Sequence, residues 1–443
     1  MNNIFTELEQ GSVLVCATAR QARHWRWRFD RHQQALGRRG WLAPAVHAWR
    51  PWLNELWEQS LLTGGSAGSL GLLNDAQAEL AWRELLTADS GVERLAAGTG
   101  GGLRALRRAW RTLHEWSIDQ EALVAEARTP DAIAFAGWAL SYRDTLQTRG
   151  WLDPAQLYLL LAEDIHSGAI SVPDRLYWLG WVEHPPALTK LDRALAAAGC
   201  HTRRLAAAVS DNRVSRESFV DRAAEQRAMV DWLAEAAADE SGHCHGLVLA
   251  EPSAWSLRSL REQILDLLEP AWRNGATAGL PVQVDRERRL ADTGLARAAL
   301  LLLRLAAGRV DYRDAGQVLR SPYLAGGEAE SAGRAQLDLR LRAERQPDLS
   351  LAEILDITEF PAPRLRELLR AMQGRQRDSG TPRYPDDWVT WIEELLTAAG
   401  WPGDRQPGAD EEAAQLAWQA LLERLGSLGP VAGRMPLAAA LRW

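Results

Sequence analysis

Phosphate chemistry is the first question that the residue inventory decides. The chain has a single lysine, Lys190, against fifty arginines. A phosphate-cradling loop needs a glycine-rich turn, whose amides hold the phosphates, followed by a lysine that reaches the β and γ oxygens. Lys190 sits in PPALTKLD, with no such turn before it. A working ATPase of that type is excluded, and no cofactor is expected. Metal chemistry is as poorly supported. Cys200-His201 and His243-Cys244-His245 lack the spacing that lets one turn present two ligands, and the acids around Asp338 show no paired-carboxylate pattern. No catalytic or metal-ligating residue is assigned.

The residue types that do recur together are arginine and tryptophan. Residues 19 to 39 carry Arg20, Arg23, Arg26, Arg28, Arg31, Arg38 and Arg39 against one acid, Asp30. At helical spacing Trp25 and Phe29 fall on a core face, while Trp27 points away from it among Arg20, His24 and Arg31. An outward indole flanked by guanidiniums suits stacking on a single-stranded base, with phosphates held alongside. Packing of Trp27 beneath another segment, with the arginines as a solvated face, is the competing reading. A second stripe, Arg104, Arg107, Arg108 and Arg111, borders the apolar row Leu103, Leu106, Trp110 and Leu113. It reads either as a phosphate track, through Arg104 and Arg108, or as arginines covering an amphipathic helix with their stems. Trp49-Arg50-Pro51-Trp52 reads from its residues as a hydrophobic staple and proline start for the next helix. Arg320-Ser321-Pro322-Tyr323-Leu324 reads as a Ser-Pro turn. Most of the twenty-one tryptophans fall at helical spacing with leucine and alanine, which makes core packing their default role.

Composition sets the frame for these candidates. The 443 residues, 47% hydrophobic and 25% charged, are too many for one core and suggest two or three domains. No apolar run reaches the ~18 residues of a membrane span, and MNNIFTELEQGS lacks the basic and apolar regions of a secretory signal. Three widely spaced cysteines, Cys16, Cys200 and Cys244, fit a reducing cytoplasm. A net charge of -7 argues against a generally cationic nucleic-acid binder, so any polyanion site must be local.

The elements that would position such a site follow from periodicity. Residues 12 to 17 read as a buried strand and 19 to 36 as the following helix, the opening unit of an α/β domain. A second strand is expected at Ala45 to Ala48, then a helix over WRPWLNELWEQSLL. Residues 74 to 165 read as helical, with breaks at GTGGG (98 to 102) and Gly150, and with Asp153-Pro154 as a helix start. Strands are expected at 175 to 182, 202 to 209, 246 to 250 and 279 to 284, with a helix at 222 to 238 and helices beyond Asp292. The final MPLAAALRW reads as a helix without a stop signal, so poor packing is expected there.

This order resembles that of superfamily-one helicases. YRDTLQTRGWLDPAQLYLLL (142 to 161) resembles the segment before the Walker B strand, and RLYWLGWVEHPPALTKLDRAL (175 to 195) resembles that strand and its helix. Residues 221 to 264 resemble the entry to the second motor domain, and 279 to 324 the passage into the second helical insert. Trp49-Arg50-Pro51-Trp52 sits after the second strand, where the family's second DNA-contacting motif would fall, so the resemblance implies Trp49 and Arg50 as nucleic-acid contacts. Where the family has its phosphate loop this chain has Ala17-Thr18-Ala19-Arg20-Gln21, and Gly180 and Trp181 stand where its paired acids would. A helicase-like chain without an ATP site resembles the AddB/RexB type of subunit in bacterial break-processing helicase-nucleases, and the AddB-like DNA repair proteins. The resemblance implies an α/β fold of degenerate RecA-like domains with large all-helical insertions: a first domain over residues 1–210 with an insertion at about 53–170, a partial second over 211–290, and a helical insertion over 291–443. It further implies a PD-(D/E)xK nuclease following Trp443. The function expected is DNA binding and scaffolding in repair, with DNA and a helicase-nuclease subunit as partners and no membrane. Docking on such a subunit without touching DNA is the alternative.

Overall fold

The computed structural model describes residues 2–88, 100–205, 214–237, 245–249, 254–268, 270, 289–343, 347–357, 360–376 and 379–442. They fall into two compact units: Met1–Ala208 with Gly294–Trp443, and Val209–Thr293.

The larger unit opens with α1 (Asn2–Glu9), β1 (Val13–Cys16), α2 (Ala19–Ala35), β2 (Val46–Ala48) and α3 (Trp49–Thr63). β1 is the run VLVC, short, apolar and buried, as a strand covered on both faces must be. Helix α2 starts where Thr18 accepts a hydrogen bond from the Gln21 amide and the Gln21 side chain returns to the Thr18 backbone, a reciprocal cap. Four strands form a parallel sheet in the order β2-β1-β5-β6, with β5 at Arg175–Leu179 and β6 at His201–Leu205. Leu14 and Cys16 face Phe5, Trp25 and Phe29 under α1 and α2. Val15, one residue out of phase, faces the opposite layer with Trp52, Leu56 and Trp178. The molecule is therefore mixed α/β around a central parallel sheet.

Between β2 and β5 the chain makes a helical excursion: α4 (Asp75–Ala88), α5 (Gly100–Glu115), α6 (Gln120–Glu126) and α7 (Pro130–Arg149). It leaves and returns through a two-residue parallel ladder, β3 (Gly71–Leu72) against β4 (Trp151–Leu152). Helices α8 (Leu157–His166) and α9 (Pro186–Ala197) then pack beside α3 on the sheet. Two expectations need correction here. Of the break expected at 98 to 102, residues 98 and 99 lie outside the described residues, and Gly100 to Gly102 form the first turn of α5, where burial of Leu103, Leu106 and Trp110 outweighs glycine's poor helix propensity. Asp153 does accept the Ala155 amide at 2.8 Å, but it caps a turn, and α8 begins only at Leu157.

From Gly294 the larger unit continues through α12 (Gly294–Ala307), β7 (Arg309–Asp311), α13 (Tyr312–Leu319), α14 (Ser331–Ala343), β8 (Asp348–Ser350), α15 (Leu351–Leu355), α16 (Pro363–Gln376), α17 (Pro385–Ala398), α18 (Ala409–Gly426) and α19 (Leu437–Ala440). This segment joins the excursion directly: Gln77 donates to the Ser427 carbonyl at 2.7 Å and Arg424 pairs with Glu79 at 3.5 Å. The expected Ser-Pro turn is present, with Ser321 Oγ accepting the Tyr323 amide. Asp338 holds Arg320 and Arg342, each at 3.1 Å. The poorly packed terminus is a further correction, because Leu437 and Ala440 are buried and Trp388 donates its indole N–H to the Met435 carbonyl.

In the smaller unit α10 (Arg222–Ala237) matches the helix expected at 222 to 238, and α11 (Ala254–Leu268) follows it. Residues 246–249, read from the sequence as strand, carry no regular structure. The strand expected at 279 to 284 lies outside the described residues, as does that at 206 to 209. No helix among the described residues is long and apolar enough to cross a membrane.

Candidate functional site

In an open parallel sheet, ligands bind outside the carboxyl ends of the strands, where the strand order reverses. Here β2 and β5 lie on opposite sides of β1, so that point is the pair β1 and β5. The two ends differ in what they offer.

The turn from β1 into α2, where a phosphate loop would stand, is closed. Only Ala17 and Thr18 separate the two elements, and the Ala17 amide donates to the Leu179 carbonyl at 2.9 Å. The Gln21 amide is taken by Thr18. Gly180, just past β5, has φ +94 and lies so close to the Gln21 side chain that a Cβ there would collide with it. That turn leaves no room for a phosphate cradle.

Beside it, the sheet edge and the helical excursion enclose a cleft of about 820 Å³. Its sheet side comes from Ala17, Trp49, Arg50 and Trp181, and its excursion side from Asp75, Arg107, Trp110 and Arg111. Trp49 and Trp181 are the outer members of a tryptophan quartet. Their ring centroids are 5.7 Å apart, edge to face, and both touch Trp178, which is buried with Trp52 beneath them. Trp178 in turn donates to Asp192 on α9 at 2.7 Å, locking the quartet to the scaffold. Asp75 bridges the cations, 3.0 Å from Arg50 and 2.7 Å from Arg107. Burial opposes ionisation of Asp75, but Arg50 and Arg107 outweigh it and hold its carboxyl below the usual range. Arg111 forms no hydrogen bond or ion pair among the described residues. Burial, then repulsion from Arg50, lowers its pKa.

Under the cleft lies a buried aromatic layer. Trp82 stacks on Tyr142 with centroids 4.1 Å apart, and Trp110 meets Tyr142 edge-on. Tyr142 donates to Asp153 at 2.9 Å. Burial pushes the Asp153 carboxyl up and the His114 imidazole down to about 4. Burial also pushes up Glu115, despite Arg111 beside it.

The residues singled out in the sequence separate into three groups. Trp49 and Arg50 line the cleft, whereas Arg104 and Arg108 are exposed and do not. Arg107 and Arg111, which lie nearer the apolar face of the same helix, supply that part of the wall instead. Arg20, Trp27 and Arg31 lie exposed along α2. Trp27 is 53% exposed, with His24 stacked at 6.0 Å and the Arg31 guanidinium 5.5 Å from its ring. Other arginines nearby hold the fold together: Arg26 donates to the Val46 carbonyl, Arg28 lies over Trp25, and Arg38 pairs with Glu9. Cys200 is buried, which pushes its thiol up to about 11, while His243 and Cys244 lie outside the described residues. The described residues contain no cluster of metal-ligating side chains.

No known family model and no curated protein matches this chain.

Proposed function

We propose that the larger unit is an ATPase-inactive, RecA-like platform that binds single-stranded DNA within a bacterial break-processing nuclease protein of the AddB-like kind. The observation that carries the reading is the exposed row Arg20, Arg23, His24, Trp27 and Arg31 on α2, whose helix begins at Ala19 in the cleft wall. At 1.5 Å per residue, Trp27 sits ~12 Å along the helix from that start. A stacking indole flanked by cations at one end, and a cleft of indoles and arginines at the other, form the arrangement that unspecific single-strand binding uses. The parallel order β2-β1-β5-β6 with helices on both faces supports the RecA-like part of the reading, and the closed β1–α2 turn supports the absence of nucleotide hydrolysis.

A second reading, docking on an active helicase-nuclease subunit without DNA contact, is favoured by Trp116, Ile118, Val124 and Ile133, which α5, α6, α7 and their connections expose to between 44% and 57%. Fluorescence anisotropy of a labelled single-stranded oligonucleotide over a salt series separates the two. Phosphate contacts require log K to fall linearly with log salt. Absence of binding at low salt would leave the docking reading.

A further inference from the structure

Unsatisfied polar groups in the cleft point to a more specific occupant than a strand passing over a surface. Tyr158 is only 3% exposed, lines the cleft, and its hydroxyl has no hydrogen-bond partner among the described residues. The fully buried Trp82 also lines the cleft, and its indole N–H has no partner among the described residues. Buried polar atoms are nearly always paired in a folded protein, so orphans on one cavity wall suggest that a ligand completes them. Arg111 adds a partly buried guanidinium with no ion pair among the described residues, whereas Arg50 and Arg107 share Asp75. The outer indoles of the quartet, Trp49 and Trp181, line the same space and remain partly exposed. The volume, about 820 Å³, falls within the ~300–1,000 Å³ of sites that enclose a single small ligand.

We propose that the cleft seats one nucleotide of a single-stranded DNA chain, with its phosphate on Arg111, its base against Trp49 and Trp181, and the base's polar edge paired with the Tyr158 hydroxyl. The inference rests on the single-strand reading and adds to it one discrete pocket at the end of the α2 track. Turning a base out of the stack costs least in single-stranded DNA. The phosphate is either internal to the strand or a 5′-terminal monoester, since both present the same acceptor oxygens to a guanidinium.

The test uses Tyr158→Phe and Arg111→Ala in the whole chain, with anisotropy read on dT oligonucleotides carrying a 5′-phosphate, a 5′-hydroxyl or one abasic position. Tyr158→Phe removes a hydroxyl that bonds to none of the described residues, so melting should not fall. Its binding should weaken several-fold on the intact oligonucleotide, and less on the strand whose abasic position falls in the pocket. Arg111→Ala should weaken binding roughly tenfold, in line with loss of one charge-assisted hydrogen bond, and lower the salt slope by about 0.7. If 5′-phosphate strengthens binding and Arg111→Ala removes that gain, the seated phosphate is terminal; equal binding of both oligonucleotides makes it internal. If both variants melt and bind like the parent while Trp27→Ala still weakens binding, the pocket is refuted and the single-strand reading stands alone. If the parent binds no oligonucleotide at low salt, both fail together.

Discussion

Replacement of Asp164 by alanine should be among the most damaging single changes in the larger unit. This carboxylate, 2% exposed on α8, accepts from Ser60 Oγ at 2.6 Å, from both the amide and hydroxyl of Ser66 at 2.7 Å, and from the Ala67 amide at 2.9 Å. Ser60 Oγ then accepts the Gly68 amide at 2.8 Å. The network pins the end of α3, the helix whose first turn carries Trp49 and Arg50, to α8. Alanine orphans two backbone amides and two hydroxyls. At about 1–3 kcal/mol for each buried group left unpaired, and with the hydroxyls able to turn toward other partners, the loss should be roughly 3–5 kcal/mol, a large share of a typical 5–15 kcal/mol. Asp164→Asn keeps one acceptor oxygen and should cost about half as much. Burial opposes the Asp164 charge, but the bonds from Ser60, Ser66 and Ala67 outweigh it and lower its pKa. Its contribution is therefore present above the unfolded value of ~4 and fades as pH falls through the lower folded value. Urea denaturation at pH 7 and below pH 4 would measure this. A midpoint unchanged in Asp164→Ala, or Asn and Ala costing equally, would refute the reasoning.

Other consequences are open to simpler tests. Gly180→Ala, which meets both a left-handed backbone and the Gln21 side chain, should cost about 1–3 kcal/mol, partly restored by Gln21→Ala; an unchanged denaturation midpoint would count against the closed turn. Hydrolysis of Mg²⁺-ATP should stay at background with or without single-stranded DNA, and turnover abolished by a substitution in this chain would contradict it. His114, held neutral by burial with its pKa near 4, titrates near 6.5 when unfolded. The unfolded chain then binds the extra proton between those values, so stability should drop as pH falls from 6.5 to 4, by roughly 3 kcal/mol in all. His114→Phe should flatten that part of a pH-melting curve, and an unaltered slope would show that the imidazole is not responsible.

Local pattern carried much of the sheet. Residues 12 to 17, 45 to 48 and 175 to 182 are short apolar runs against helix starts, and each encloses a strand of the structure. The ladder of Gly71–Leu72 with Trp151–Leu152 had no local signal, because two residues paired across the whole excursion create no periodicity. Among the site residues, the outward position of Trp27 follows from its two-residue spacing from both Trp25 and Phe29, which at 100° per residue turns it to the far side of the helix. Which arginines of α5 turn toward the cleft also follows from helical spacing: measured from the apolar row of Leu103, Leu106, Trp110 and Leu113, Arg107 and Arg111 lie nearer the core face than Arg104, and Arg108 lies opposite it. The ion pairs of Arg107 with Asp75 and Glu79 on α4 then hold that side in place. Tyr158 lay in a segment whose leucines marked it as core, and only the cavity beside it gives its hydroxyl a role.

The central claim, single-strand binding along α2, is tested most directly by oligonucleotide anisotropy at several salt concentrations for the parent, Trp27→Ala and Arg31→Ala. Stacking is worth ~1–3 kcal/mol per base, so Trp27→Ala should weaken binding roughly 5- to 150-fold with little change in salt slope. Arg31→Ala should lower the slope by about 0.7. Parent-like affinity and slope in both variants, accompanied by a fall in melting temperature, would make these residues structural and contradict the account.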